Sequence, residues 1–230
     1  MIKAVIFDLD DTLISESQYI KSGYQHISKL LSNRFDKDKQ VLNQQLNELF
    51  NESPRNVFNR FFDKLGITFT KDEIMELVEE YRNHLPTIEF FDDVLPCLEI
   101  LKEEKIKLGI ITDGYANAQR QKLKSVQAIN YFDEIIVTDE LGREFWKPHP
   151  KAFEVMREEL NVEFSEMVYI GDNINKDFIS PNKLGMKSIC IYRENSIYSM
   201  RSDLYERDFH ALYSIRTMYE LLDRLKQKSI

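Results

Sequence analysis

Five short apolar runs constrain the fold more than any other feature of the chain: Ala4 to Phe7, Leu108 to Ile111, Glu134 to Val137, Met167 to Ile170 and Ser188 to Tyr192. A strand with one wet face alternates apolar and polar residues. These runs are nearly continuous, the pattern of strands covered on both faces. Segments of helical period separate them, at Val94 to Glu104, Asn117 to Val126 and Pro150 to Leu160. Helices of that length between buried strands are the crossovers of a parallel sheet. A last stretch, Ser214 to Lys228, also reads as an amphipathic helix.

The interval 15–91 is different. It has no strand-like run and is dense in helix formers and aromatics, as in Val57 to Phe62 and Glu73 to Arg82. Thr70-Lys71-Asp72-Glu73 has the spacing of a capping box at a helix start. The expected plan is an α/β fold: a Rossmann-like parallel sheet core, residues 1–14 and 92–230, interrupted after its first strand by an all-helical domain at 15–91. Tyr19, Tyr24, Phe58, Phe61 and Phe62 could bury themselves against a partner. At helical spacing they suit the insertion's own core.

A chain of 230 residues with 43% hydrophobic residues, only seven Gly and six Pro is long and apolar enough for a folded core. The formal charge of −8 argues against binding nucleic acid through a basic face. It also means that a phosphate substrate must be attracted locally, by a metal or a few placed cations. No run of apolar residues is long enough to span a bilayer, and the first reaches a charge too soon for a signal peptide. A cytoplasmic protein is expected, with no membrane partner; oligomeric state is not readable. Cys97 and Cys190 have no partner at metal or redox spacing and read as buried thiols.

The chemistry gathers at the ends of the apolar runs. The first ends Phe7-Asp8-Leu9-Asp10-Asp11-Thr12, and if extended chain persists to Asp10, the carboxylates of Asp8 and Asp10 share a side. Two such groups at the end of a buried strand need a positive partner, and a hard, oxygen-seeking cation such as magnesium suits them. The second run is followed by Thr112-Asp113-Gly114, a hydroxyl and a turn whose N–H groups can hold phosphate oxygens. Trp146-Lys147-Pro148-His149-Pro150 places a lysine ahead of a helix. The fourth run ends Gly171-Asp172, with Asp177 five residues on. In open parallel sheets, ligand sites lie at the carboxyl ends of the strands, where each of these features falls.

This order and spacing resembles the four motifs of the haloacid dehalogenase-like superfamily over residues 1–14 and 92–195. The insertion resembles the helical cap of the subclass that carries it after the first motif. The Lys147 to Pro150 context and the run from Gly114 through Gln119-Arg120 to Leu123 look most like the superfamily's small-metabolite phosphatases, such as acylneuraminate-9-phosphatases and nucleotidase-like members. The resemblance implies a magnesium-dependent phosphatase acting on a small phosphorylated metabolite (a sugar phosphate, acyl-sugar phosphate or nucleotide) through an aspartyl-phosphate. It makes Asp8 the nucleophile, Asp10 the acid and base, and Lys147 the cation that neutralises charge on both Asp8 and the phosphoryl group. Thr112, Asp113 and Gly114 bind the phosphoryl oxygens together with Lys147. Magnesium is held by Asp8, the backbone carbonyl of Asp10, and Asp172, while Asp177 orients Lys147 or a metal-bound water. Dehalogenases of the same fold lack an acid at the position of Asp10. A phosphosugar mutase on the same residues, or a catalytically silent interaction module, are the alternatives.

Other positions carry weaker readings. Arg55 and Asn56 are either substrate contacts or a helix start. His149 is a capping group or a substrate contact, and His26, His84 and His210 lack zinc spacing. Tyr198, Met200 and Tyr205 have no functional reading.

Overall fold

The computed structural model describes residues 1–194 and 209–227; Tyr198, Met200, Tyr205 and Lys228 lie outside them. Among the described residues the strands are β1 (Ala4–Phe7), β2 (Lys107–Thr112), β3 (Glu134–Val137), β4 (Met167–Gly171), β5 (Lys187–Ile191) and β6 (Tyr213–Ile215). The helices are α1 (Glu16–Phe35), α2 (Lys39–Glu52), α3 (Val57–Leu65), α4 (Lys71–Asn83), α5 (Val94–Glu103), α6 (Ala116–Ser125), α7 (Thr138–Leu141), α8 (Lys151–Leu160), α9 (Ile179–Leu184) and α10 (Met218–Lys226). The chain divides into two compact units, one of residues Met1–Ser17 with Ile88–Ile230 and one of Gln18–Thr87.

The first unit is a six-stranded sheet in the order β3-β2-β1-β4-β5-β6, with every pair parallel. Alternate residues of each strand enter opposite layers. Val5, Phe7, Leu108, Ile110, Val168 and Ile170 face one core with α5 and α10, and Ala4, Ile6, Ile111, Met167 and Tyr169 face the other with α8. This two-sided burial is why the strands read as continuous apolar runs. The fold is thus the Rossmann-like α/β sheet that the sequence predicts.

One element differs. Ser214 does not begin a helix: Tyr213–Ile215 is the edge strand β6, and the helix starts at Met218 behind Thr217, whose hydroxyl accepts from the Glu220 N–H. Three residues are too few to show a period, and the apolar spacing of α10 extends backward across them.

In the second unit Thr70 and Glu73 close a reciprocal capping box at the start of α4, as their spacing predicts. Tyr24 packs edge-on against Phe58 and Tyr19 against Tyr81, while Phe61 and Phe62 are fully buried and in ring contact. These aromatics form the unit's own core. Gly23 is required by packing, because a Cβ there would meet the Tyr81 ring at 2.2 Å.

The segment after β5 is tied to the loop after β1 by Arg193. Its Nε and Nη2 donate to the Thr12 carbonyl at 3.2 and 3.0 Å, and its Nη1 pairs with Asp93 at 2.7 Å. Asp93 also accepts from the Met218 N–H. Breaking a buried pair from one side leaves an uncompensated charge. Arg193→Met is therefore expected to cost about 3–5 kcal/mol in a denaturant titration, and Asp93→Asn with Arg193→Met to recover part of it.

Candidate active site

The strand order reverses between β1 and β4, the place where an open α/β sheet has its crevice. Phe7 is paired with Ile170 and β4 runs one residue further, to Gly171, so Asp8 and Asp172 are the first residues beyond two adjacent strands, and the Asp8 N–H donates to the Ile170 carbonyl at 2.8 Å. The extended conformation stops short of Asp10. β1 ends at Phe7 and the chain bends at Leu9, whose carbonyl accepts from the N–H groups of Thr12, Leu13 and Ile14. Asp11 takes a left-handed φ of 50°, which Asp tolerates better than most residues, and its carboxylate accepts from the Glu16 N–H at 3.0 Å.

Lys147 is the hub. Its fully buried ammonium donates to Asp8 Oδ1 at 2.6 Å, to Asp177 Oδ1 at 2.8 Å and to the Tyr169 hydroxyl at 2.8 Å. Asp177 also accepts from the Tyr169 hydroxyl and, through Oδ2, from the Asn173 N–H. A side chain at Gly171 would place Cβ 2.5 Å from Asp177 Oδ2, so this glycine makes room for the carboxylate.

Carboxylate oxygens of Asp8, Asp172 and Asp177 lie within 4.8 Å of one another, the one cluster of metal-ligand type among the described residues. Burial pushes the Asp8 carboxyl up to about 6, with Lys147 opposing and Asp177 reinforcing the rise. Asp172 is driven well above the ordinary carboxylate range by burial and by the charges of Asp177, Asp8 and Asp11. Such a surplus of hard oxygen donors fits a divalent cation. Asp177 already accepts from three donors, Lys147, the Tyr169 hydroxyl and the Asn173 N–H.

The Asp10 carboxylate turns toward α6. Its Oδ1 accepts from Lys122 at 2.7 Å and its Oδ2 from Gln119 at 2.9 Å, and Lys122 also reaches Glu16 at 2.6 Å. Burial works against the charge on Asp10, yet Lys122, with hydrogen bonds from Glu16 and Gln119, holds it below the usual range. Glu16 is pushed up to about 8 by burial and by the Asp10 charge.

The Thr112 hydroxyl is buried and accepts from Gln119 at 2.5 Å. The Asp113 carboxylate accepts from the Thr138 hydroxyl at 2.7 Å and the Lys147 N–H at 3.1 Å, and pairs with Lys176 at 3.3 Å. It therefore braces the ends of β2 and β3 against the lysine loop. Gly114 has φ of 135° and faces Gln119, so both backbone and space favour glycine.

Tyr169, Lys176, Glu16 and Lys122 have no role in the sequence reading, and Gln119 figured there only in the resemblance. Gln119 and Lys122 stand three apart on the helix that follows β2 and so share a face, but that helix is polar nearly throughout and does not mark the face as buried. Arg55 is exposed and Asn56 is the left-handed residue before α3, without a side-chain cap. The His149 ring accepts from the Lys151 N–H, a local capping contact. Cys97 and Cys190 are buried free thiols, both pushed up to about 12 by burial.

The profile of the haloacid dehalogenase-like hydrolases matches residues 5–191. The chain belongs to that family. It is 32% identical over 201 residues to a glyceraldehyde 3-phosphate phosphatase of Methanopyrus kandleri, covering 84% of this chain and 85% of the relative. It is 25% identical over 228 residues to the pyrophosphatase PpaX of Halalkalibacterium halodurans, covering 96% of each. Among solved structures it resembles a phosphatase of the family from Thermococcus onnurineus, with a TM-score of 0.62 and 30% identity over 97% of this chain and 98% of that one. None of these is a neuraminate phosphatase, and the expected resemblance to that group is not what they show. No helix among the described residues is long and apolar enough to cross a membrane.

The carboxylate cluster has a consequence for stability. The Asp8 carboxyl, ordinarily near 3.8, sits at about 6 in the fold. Between these values the folded chain holds more protons than the unfolded one, so stability from this group falls as pH rises from 3.8 to about 6. Asp172 is shifted in the same direction. In EDTA above pH 6, Asp172→Asn is expected to raise the melting temperature by roughly 2–4 °C. The same variant should lose most of the rise that a divalent cation gives the wild type. Thermal melts with EDTA and with magnesium check both.

Proposed function

We propose that the chain is a magnesium-dependent phosphatase that removes phosphate from a small phosphorylated metabolite through an aspartyl-phosphate on Asp8. The observation that carries this reading is the buried Lys147 ammonium shared by Asp8 and Asp177 beside the Asp8–Asp172 carboxylate pair. A scaffold has no use for that much buried charge at a strand switch point.

In the first half-reaction an oxygen of Asp8 bonds to phosphorus while the bond to the leaving oxygen breaks, and Asp10 gives that oxygen its proton. In the second, Asp10 takes a proton from water, whose oxygen attacks phosphorus and breaks the bond to Asp8, releasing inorganic phosphate. Lys147 fixes the Asp8 carboxylate and offsets the charge brought in by the phosphoryl group. The Thr112 hydroxyl and the N–H groups of Asp113 and Gly114 hold phosphoryl oxygens. Asp177 keeps Lys147 in place. Asp8, the Asp10 carbonyl and Asp172 would hold magnesium, which would offset the repulsion between carboxylate and phosphate.

The helical unit, which follows the first motif in the chain, is the proposed cap and the source of substrate selection. The relative named for glyceraldehyde 3-phosphate puts triose phosphates first among substrates to try, with pyrophosphate next. A cytoplasmic location suits such metabolites.

The test is hydrolysis of an aryl phosphate and of a panel of triose phosphates, sugar phosphates, nucleotides and pyrophosphate, with magnesium and with EDTA. Turnover is expected only with the cation. Asp8→Asn should abolish it, and Asp10→Asn should lower it by about 10²–10⁴-fold. Turnover that survives Asp8→Asn removes the reading, and turnover that requires an added sugar bisphosphate replaces it with a mutase.

A further inference from the structure

The Asp10 carboxylate is gripped at both oxygens from one helix. Gln119 and Lys122 stand three residues apart on α6, so their side chains leave the same face, and each is almost wholly buried. Gln119 Nε2 donates to Asp10 Oδ2 at 2.9 Å and to the Thr112 hydroxyl at 2.5 Å. Lys122 Nζ donates to Asp10 Oδ1 at 2.7 Å and to Glu16 Oε2 at 2.6 Å.

A purely structural role for Lys122, joining the start of α1 to the sheet, would be met by the Glu16 pair alone. Burying an ammonium is costly, and the second bond is to a carboxylate of the reacting motif. Helix α6 is itself anchored, since the Ala116 N–H donates to Asp139 at 2.9 Å and Gly114 lets the chain turn tightly against Gln119.

We infer that Gln119 and Lys122 are positioning residues for Asp10: they hold its carboxyl group in the one orientation from which it exchanges a proton with the leaving oxygen. The inference rests on the phosphatase reading. Glu16 completes the grip, since it also accepts from Lys122. Gln119 adds a link between the acid and Thr112, so the group that delivers the proton and the group that seats the phosphate are set by one amide.

A misplaced general acid has a distinctive kinetic signature. An alkoxide leaving group needs the proton, whereas a nitrophenolate leaves readily without it. The value of kcat/KM reports steps through the first irreversible one, here phosphoryl transfer to Asp8. The experiment compares kcat/KM of the full chain with magnesium for p-nitrophenyl phosphate and for glyceraldehyde 3-phosphate or another alkyl phosphate. Gln119→Leu and Lys122→Met are each expected to lower the alkyl value by about 10²-fold or more. The aryl value should fall by less than about 10-fold, as expected when the step no longer depends on the acid.

Equal losses on both esters would mean that the residues only support the fold, and would overturn the inference. Gln119→Leu is nearly isosteric and changes no charge, so it carries the test if Lys122→Met melts too low to assay. A wild type inactive on every ester overturns the phosphatase reading itself, an outcome distinct from an active wild type whose variants lose evenly.

Discussion

The structure turns on one buried ammonium. Lys147 is buried, and its charge is met by Asp8, Asp177 and the Tyr169 hydroxyl. Two of these partners come from different strand ends and the third from within β4, so the ion draws together the loop after β1, the loop after β4 and its own turn. Removing any one carboxylate would leave the rest of the group unbalanced, which makes the arrangement cooperative. Lys147 in turn is placed by its backbone N–H on Asp113, a carboxylate fixed by Thr138 at the end of β3. The sheet register is thereby transmitted to the position of a single nitrogen.

Around this ion the carboxylates sort into two environments. Asp8 and Asp172 are buried among like charges, which raises both. Asp10 sits only two residues from Asp8, but the bend at Leu9 turns it to a lysine and an amide that keep it low. The loop after β1 thus separates two aspartates into unlike electrostatic settings.

The sheet was legible because a strand covered on both faces leaves an uninterrupted apolar run, and five of the six strands did so. The sixth, Tyr213–Ile215, is a three-residue edge strand whose residues also fit the spacing of α10. The gathering of Asp8, Thr112, Lys147 and Asp172 at one end of the sheet follows from parallel topology, since every such strand delivers its carboxyl end to the same side. The partners of Asp10 were hidden for the opposite reason. Helix α6 reads Ala-Asn-Ala-Gln-Arg-Gln-Lys-Leu-Lys-Ser, polar nearly throughout, and nothing in that composition marks Lys122 as buried and Lys124 as exposed. Only the tertiary position of Asp10 and Glu16 makes the distinction. Tyr169 was hidden by its apolar neighbours, because inside a hydrophobic strand a tyrosine looks like one more large side chain. Arg193 was hidden because its main acceptor is a backbone carbonyl, which has no signature in a sequence.

The placement of β1 at the middle of the sheet bears on how the chain is born. β1 is flanked by β2 and β4, so its second edge stays unpaired until the chain has been made as far as Gly171. Until then the segment from Ala4 to Asp11 presents a half-paired apolar ribbon ending in carboxylates. Those charges, later confined around one site, are during synthesis what discourages that ribbon from joining another chain.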